Sequence, residues 1–283
     1  MSLRWWVLPI LVTAAFLGLQ PLIGSGWALF TDSYRYAKQA EQIYGVPAEQ
    51  AHVDALQAYC ATRAAQKPWD GDWTPNPEPL DMQHRRQAAC FDRYLPRGDL
   101  TTLDPRYQSI FTTRVGYPLV AAPFIAAWGV TTGMWLLGFV QAVAAGLLCY
   151  TVLRLAGLGA LAAATGQATF LASPLGWWAL QALTEGLVSI CALGAVAGIL
   201  LVRRGSTRAG LAVLAGSWLV MGVVRFSSLL LIAAAMAVAC AVLALIGGGD
   251  RARRRATAAA AAVCAAAAAA TAAAIPLLGL PSA

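Results

Sequence analysis

Thr131–Leu153 reads TTGMWLLGFVQAVAAGLLCYTVL, an apolar run without one charged side chain, closed by Arg154. The hydrocarbon core of a bilayer is about 30 Å thick and takes about 20 mostly apolar helical residues. No water is present there, so each spanning segment must satisfy its own backbone hydrogen bonds. The stretch therefore reads as a membrane-crossing helix, and it decides the class of the chain. The whole sequence agrees: 283 residues, 59% of them hydrophobic and only 12% charged, with a mean hydropathy of +0.62. That composition excludes an ordinary soluble domain and predicts an all-α polytopic membrane protein.

Working outward, the basic residues count the spans. Short cytoplasmic loops are enriched in Lys and Arg, so Arg4, Arg154, the Arg203/Arg204/Arg208 group and the Arg251–Arg255 cluster should share one side. Only one crossing then fits before Arg154. Tyr117 to Val130, with Pro118 and Pro123, is left as an interfacial or re-entrant helix. Later spans are expected near 157–175, 184–202, 209–224, 226–247 and 256–275, with a tight turn at Arg225. The first span runs from Trp5 to about Phe30; it exceeds a signal-peptide core and lacks a small-x-small cleavage site, so it reads as an anchored helix. The total is about seven crossings of the plasma membrane, N-terminus cytoplasmic. It divides the chain into a first span (1–30), a large helical extracytoplasmic loop (31–116) and a helical bundle (117–283).

The formal charge of +7 belongs to that topology. The cytoplasmic segments hold nearly all the excess Arg, whereas the large loop is almost neutral. The basic balance thus gives no reason to invoke nucleic acid. Cys149, Cys191, Cys240 and Cys264 fall inside expected spans. Cys60 and Cys90 fall in the loop, where an extracytoplasmic compartment permits a disulfide and equally permits two free thiols. Neither they nor His52 and His84 have zinc-site spacing; both His read as ordinary loop residues.

Inside the loop, Asp32 can cap a helix reaching Gln39–Tyr44, Pro47 starts another to about Gln66, and Asp81 opens a third through Tyr94. Lys67–Pro77 is rich in Pro, Asp and Trp and reads as irregular. Its Trp69 and Trp73 suit the lipid headgroups, or less often a sugar. Arg35 and Lys38 read as solvated or lipid-phosphate contacts. Capping is the default account of Asp32. Yet the preceding span ties it to the membrane surface, where a base could meet a lipid-linked substrate whose headgroup lies at the same depth.

The order of motifs adds a resemblance. A hydrophobic helix, then Asp-x-x-x-Tyr-Ala (Asp32, Tyr36, Ala37), a helical loop and Arg-x-x-Tyr-Pro (Arg114, Tyr117, Pro118) resembles the GT-C membrane glycosyltransferases. That family includes protein mannosyltransferases, aminoarabinose transferases and many actinobacterial relatives. Leu183-Thr184-Glu185-Gly186-Leu187 at the start of a span, and Gly222–Ser228 around Arg225, look similar too. The resemblance implies inverting transfer of a sugar from a polyprenyl-phosphate donor to a glycan, lipid or protein acceptor on the extracytoplasmic face. Asp32 matches the family's acid, a general base or a metal-associated acid, so a divalent cation stays open. Arg114, then Arg225, match cations for the leaving phosphate, with Tyr36, Tyr117 and Glu185 as further substrate contacts. A Glu185–Arg225 ion pair is the equal alternative, because a charge within a membrane needs a partner. The family pattern also expects further spans and a C-terminal domain beyond Ala283, so the chain reads as lacking its C-terminal part.

Two other classes compete. A noncatalytic membrane protein could bind a lipid-linked glycan or a protein partner through the same loop. Secondary transport fits less well, since the spans carry few ionisable groups and show no repeat.

Overall fold

The computed structural model describes residues 4–23, 27–66, 79–100, 111, 113–246 and 251–277. Trp69 and Trp73 lie outside the described residues. Among these residues the chain is helical without a strand: α1 (Arg4–Ile23), α2 (Thr31–Ile43), α3 (Ala48–Ala65), α4 (Leu80–Tyr94), α5 (Gly116–Leu155), α6 (Ala160–Ala172), α7 (Pro174–Leu180), α8 (Glu185–Arg203), α9 (Thr207–Ile246) and α10 (Arg251–Leu277). Four of them, α5, α8, α9 and α10, are long and apolar enough to cross a membrane; Trp6–Gln20 within α1 and Ala160–Ala172 of α6 are shorter apolar helices.

The two longest helices are bent. In α5 the break is at Gly129, whose φ of 74° and ψ of 170° suit only a residue without a Cβ. The arms on either side fold sharply together. A Cβ at Gly133 would lie 2.6 Å from the carbonyl oxygen of Phe124, although nine residues of straight helix would separate the two by roughly 13 Å. The second arm, 130–155, holds the charge-free stretch.

In α9 a single residue, Arg225, leaves the helical region (φ −162°, ψ 86°), and the chain reverses there. Cys264 of α10 lies against both Trp218 and Cys240, two residues that a straight helix would hold about 33 Å apart. The first arm of α9 packs on α8 through small residues: Cβ atoms at Gly198 or Gly210 would strike the facing backbone at 2.7 or 2.5 Å. Such close approach takes the place of a hydrophobic driving force between helices in lipid.

The 157–175 segment departs from the expected crossing. It forms only the 13-residue α6, about 20 Å long. Pro174 cannot donate to the helix behind it. Ser173 turns extended (φ −80°, ψ 167°), and its Oγ accepts the Leu175 N–H at 3.2 Å to start α7. Polar contacts join α6 to α1: buried Gln167 donates from Nε2 to the Pro9 carbonyl at 3.0 Å and to Thr13 Oγ1 at 2.9 Å.

The helices of the polar region pack onto the first arm of α5. Ser33, Tyr34, Arg35, Tyr36, Ala37, Ala40 and Glu41 of α2 are all buried, and Tyr36 and Ala37 share one apolar cluster with Tyr117, Ala121, Ile125 and Met134. Thr62 of α3 accepts the Leu29 N–H at 3.1 Å. Cys60 and Cys90 form a disulfide that ties α3 to α4, a helix with no buried residue of its own. His52 is not an ordinary loop residue. It sits buried in α3, its Nδ1 2.6 Å from the Tyr34 hydroxyl and its Nε2 3.4 Å from the Leu95 carbonyl. With Nε2–H facing that carbonyl, Nδ1 accepts from Tyr34. His84 does remain exposed.

Candidate functional site

Asp32 does not cap its helix. The cap position is Phe30, whose N–H donates to Ser33 Oγ at 3.0 Å, so the Asp32 carboxylate is left to face outward from the first turn of α2. Its Oδ2 lies 3.9 Å from Arg114 Nη1. Partial burial raises the Asp32 carboxyl above the ordinary carboxylate range against the opposing pull of Arg114. Glu185 nearby adds to the rise, and Arg225 and Arg35 oppose it. A carboxylate held in this balance is a stronger base than one in water.

Four chain segments meet around it. From α2 comes Tyr36, one turn after Asp32, fully buried; its hydroxyl accepts from Arg114 Nη1 at 3.1 Å and reaches Thr184. From the start of α5 comes Tyr117, whose ring lies 4.9 Å from that of Tyr36. From the start of α8 comes Glu185, and from the break in α9 comes Arg225, whose Nη1 donates to Glu185 Oε1 at 2.5 Å. The break explains why Arg225 arrives here: the residue that interrupts a run of lipid-facing side chains is the one that finds an anionic partner.

Arg114 is held by more than its charge. Its guanidinium lies 5.6 Å from the Phe111 ring centroid, and that of Arg35 lies 4.6 Å from the same ring, within cation–π reach. Arg35 therefore differs from expectation. It is buried and pairs with Asp99 at 3.3 Å because α2 turns it inward, under the loop. Lys38 keeps part of its surface and donates to the Gly98 carbonyl at 3.1 Å.

Beside the charged cluster runs a groove of about 400 Å³ lined by Thr113, Val115, Val223, Phe226, Leu229 and Thr271, among others. Thr113 and Val115 are the chain neighbours of Arg114, and Phe226 is the chain neighbour of Arg225.

All six positions singled out in the sequence, Asp32, Tyr36, Arg114, Tyr117, Glu185 and Arg225, fall in this one region. Two neighbours escaped the sequence reading. Thr184 enters the sequence analysis only as part of the motif around Glu185, with no role of its own. Gln141 was hidden inside the charge-free span; its signal was its place, an amide midway along an otherwise apolar helix. A divalent cation does not suit these donors. Among the described residues no three His, Cys, Asp or Glu side chains cluster as a metal site, and Asp32 and Glu185 each already face an arginine. No family model matches the sequence, no curated protein matches it, and no solved structure matches the fold.

Proposed function

We infer that the chain is a membrane glycosyltransferase that moves a sugar from a polyprenyl-phosphate donor to an acceptor hydroxyl on the extracytoplasmic face, with inversion. One observation carries this: the convergence of a partly buried acid, Asp32, with Arg114 and Arg225, two cations whose chain neighbours line an apolar groove. An isoprenoid chain suits the groove and a phosphate suits the arginines. The order of motifs that resembles the GT-C enzymes supports the same reading.

In this mechanism Asp32 takes the proton of the acceptor hydroxyl while that oxygen bonds to the anomeric carbon. The bond from that carbon to the phosphate oxygen breaks, and its electron pair leaves with the phosphate. Arg114 and Arg225 meet the charge that develops there. Burial raises the Asp32 pKa against the pull of Arg114, which makes its carboxylate a better proton acceptor than that of an exposed aspartate. Tyr36 orients Arg114 by accepting one of its N–H groups. The Glu185 bond to Arg225 fixes the second guanidinium, at the cost of part of its charge.

Asp32→Asn tests the assignment, because it keeps the side-chain volume and removes the base. Transfer from polyprenyl-phosphate sugars to cell-envelope acceptors should fall by about 10²–10⁴-fold, with membrane insertion and lipid binding retained. Unchanged turnover would remove Asp32 from the chemistry. Binding of polyprenyl phosphate without transfer to any acceptor, in the parent protein, would favour the noncatalytic binder.

A further inference from the structure

Thr184 stands at the N-cap of α8, a position where a threonine hydroxyl ordinarily accepts a backbone N–H of the first turn. Here it makes no capping hydrogen bond. The residue is 1% exposed, and its hydroxyl is directed to two side chains instead. It donates to Glu185 Oε2 at 3.4 Å and is hydrogen-bonded to the Tyr36 hydroxyl.

The donors and acceptors then run in one direction. Arg114 Nη1 donates to the Tyr36 hydroxyl oxygen, which leaves the Tyr36 proton for Thr184 Oγ1, while the Thr184 proton goes to Glu185. A hydroxyl donates once and still accepts, so neither link competes with the next. At the far end Arg225 Nη1 donates to the other Glu185 oxygen, Oε1. One unbroken series of hydrogen bonds thus passes from Arg114 through Tyr36, Thr184 and Glu185 to Arg225. Its two ends are the cations, and Thr184 is its middle.

We propose that Thr184 is a positioning residue that couples Arg114 to Arg225, so that the two guanidiniums meet a lipid-linked phosphate as one clamp. This rests on the glycosyltransferase reading and adds to it the residue that ties the two cation-bearing segments together. Both outer links are hydrogen bonds to charged groups, the stronger kind. Without the middle hydroxyl each arginine keeps its own neighbour but loses its register with the other, and a misplacement of about 1 Å lowers a rate by about 10²-fold.

The whole chain in lipid nanodiscs is titrated with bare polyprenyl phosphate, and transfer from polyprenyl-phosphate sugars to cell-envelope acceptors is followed beside it, per folded molecule. Thr184→Val keeps the shape and removes the hydroxyl; Thr184→Ser keeps the hydroxyl and removes a methyl. The Val variant should bind about ten-fold or more weaker and turn over slower by at least that factor, with the Ser variant within about three-fold of the parent. A packing role gives the opposite order, Val near the parent and Ser worse, and would overturn the proposal. The paired Tyr36→Phe and Thr184→Val changes should lose no more than the worse single, because either one breaks the same series. Losses that multiply would show two separate contacts and overturn the coupling. Should Thr184→Val not fold, Thr184→Ala set against Thr184→Ser isolates the hydroxyl in the same way. A parent that binds polyprenyl phosphate but transfers no sugar would end the glycosyltransferase reading, while the binding measurements would still decide the coupling. A parent that binds no polyprenyl phosphate would end both.

Discussion

Gly116 and Val223 touch backbone to backbone: a Cβ on Gly116 would lie 2.9 Å from the carbonyl carbon and oxygen of Val223. The contact clamps the start of α5 against the turn in α9, two residues beyond Arg114 on one strand of chain and two before Arg225 on the other. The spacing of the two guanidiniums depends on it.

Gly116→Ala should force that clamp open, because the obstructing atoms are backbone and cannot swing aside. A loss of about 1–3 kcal/mol of stability is expected for overpacking of this kind, with transfer reduced by about 10²-fold from misplaced cations. Thermal unfolding and turnover of the variant in detergent measure the two effects separately. A variant that melts and turns over like the parent would show that the clamp does not set the site.

The Cys60–Cys90 disulfide closes a sequence separation of 30 residues. Removing it with the paired Cys60→Ser and Cys90→Ser changes should cost about 3–4 kcal/mol in the chain-entropy account. Since α4 buries no residue of its own, its release should appear first as protease cleavage within 80–94, ahead of any change in the spanning helices. Equal protease resistance of parent and variant would contradict this.

Glu41, at the far end of α2 from Asp32, is 4% exposed, and one of its carboxylate oxygens has no hydrogen-bond partner among the described residues. Burial raises its pKa to about 7, and Asp54 adds to the rise, while the Tyr44 hydroxyl opposes it. The folded chain thus prefers Glu41 protonated. Its contribution to stability is complete below the unfolded value near 4.5 and is lost as pH climbs through about 7. Glu41→Gln keeps the neutral shape, so the variant should gain on the parent as pH rises from 5 to 8, by on the order of 2 kcal/mol at the upper end. Melting temperatures across that range decide it; parallel curves for the two proteins would contradict the shift.

Much of the fold was legible because membranes leave few choices. Long charge-free runs such as Thr131–Leu153 had to be helices, and a lone arginine inside one, Arg225, had to mark a break. The limits of that logic show at 157–175, where hydropathy alone outweighed Ser173-Pro174. Local hydrogen-bond chemistry ended α6 there and opened α7. Arg35 and His52 were misjudged for a related reason. Their solvent exposure depends on which face of α2 or α3 is covered, and sequence spacing does not state what covers it.

The sequence by itself determined that the chain is helical and membrane-directed, and which side chains carry chemistry worth attention. Those properties follow from hydropathy and charge, which each residue brings with it. Only the tertiary structure decided that Asp32 is freed from capping, that Arg114 pairs with it, and that Arg225 and Glu185 pair nearby. Each depends on the approach of segments far apart in the chain. That approach is set by glycine-sized gaps at 116, 133 and 186 and by the reversals at Gly129 and Arg225, whose consequences in space no local pattern contains.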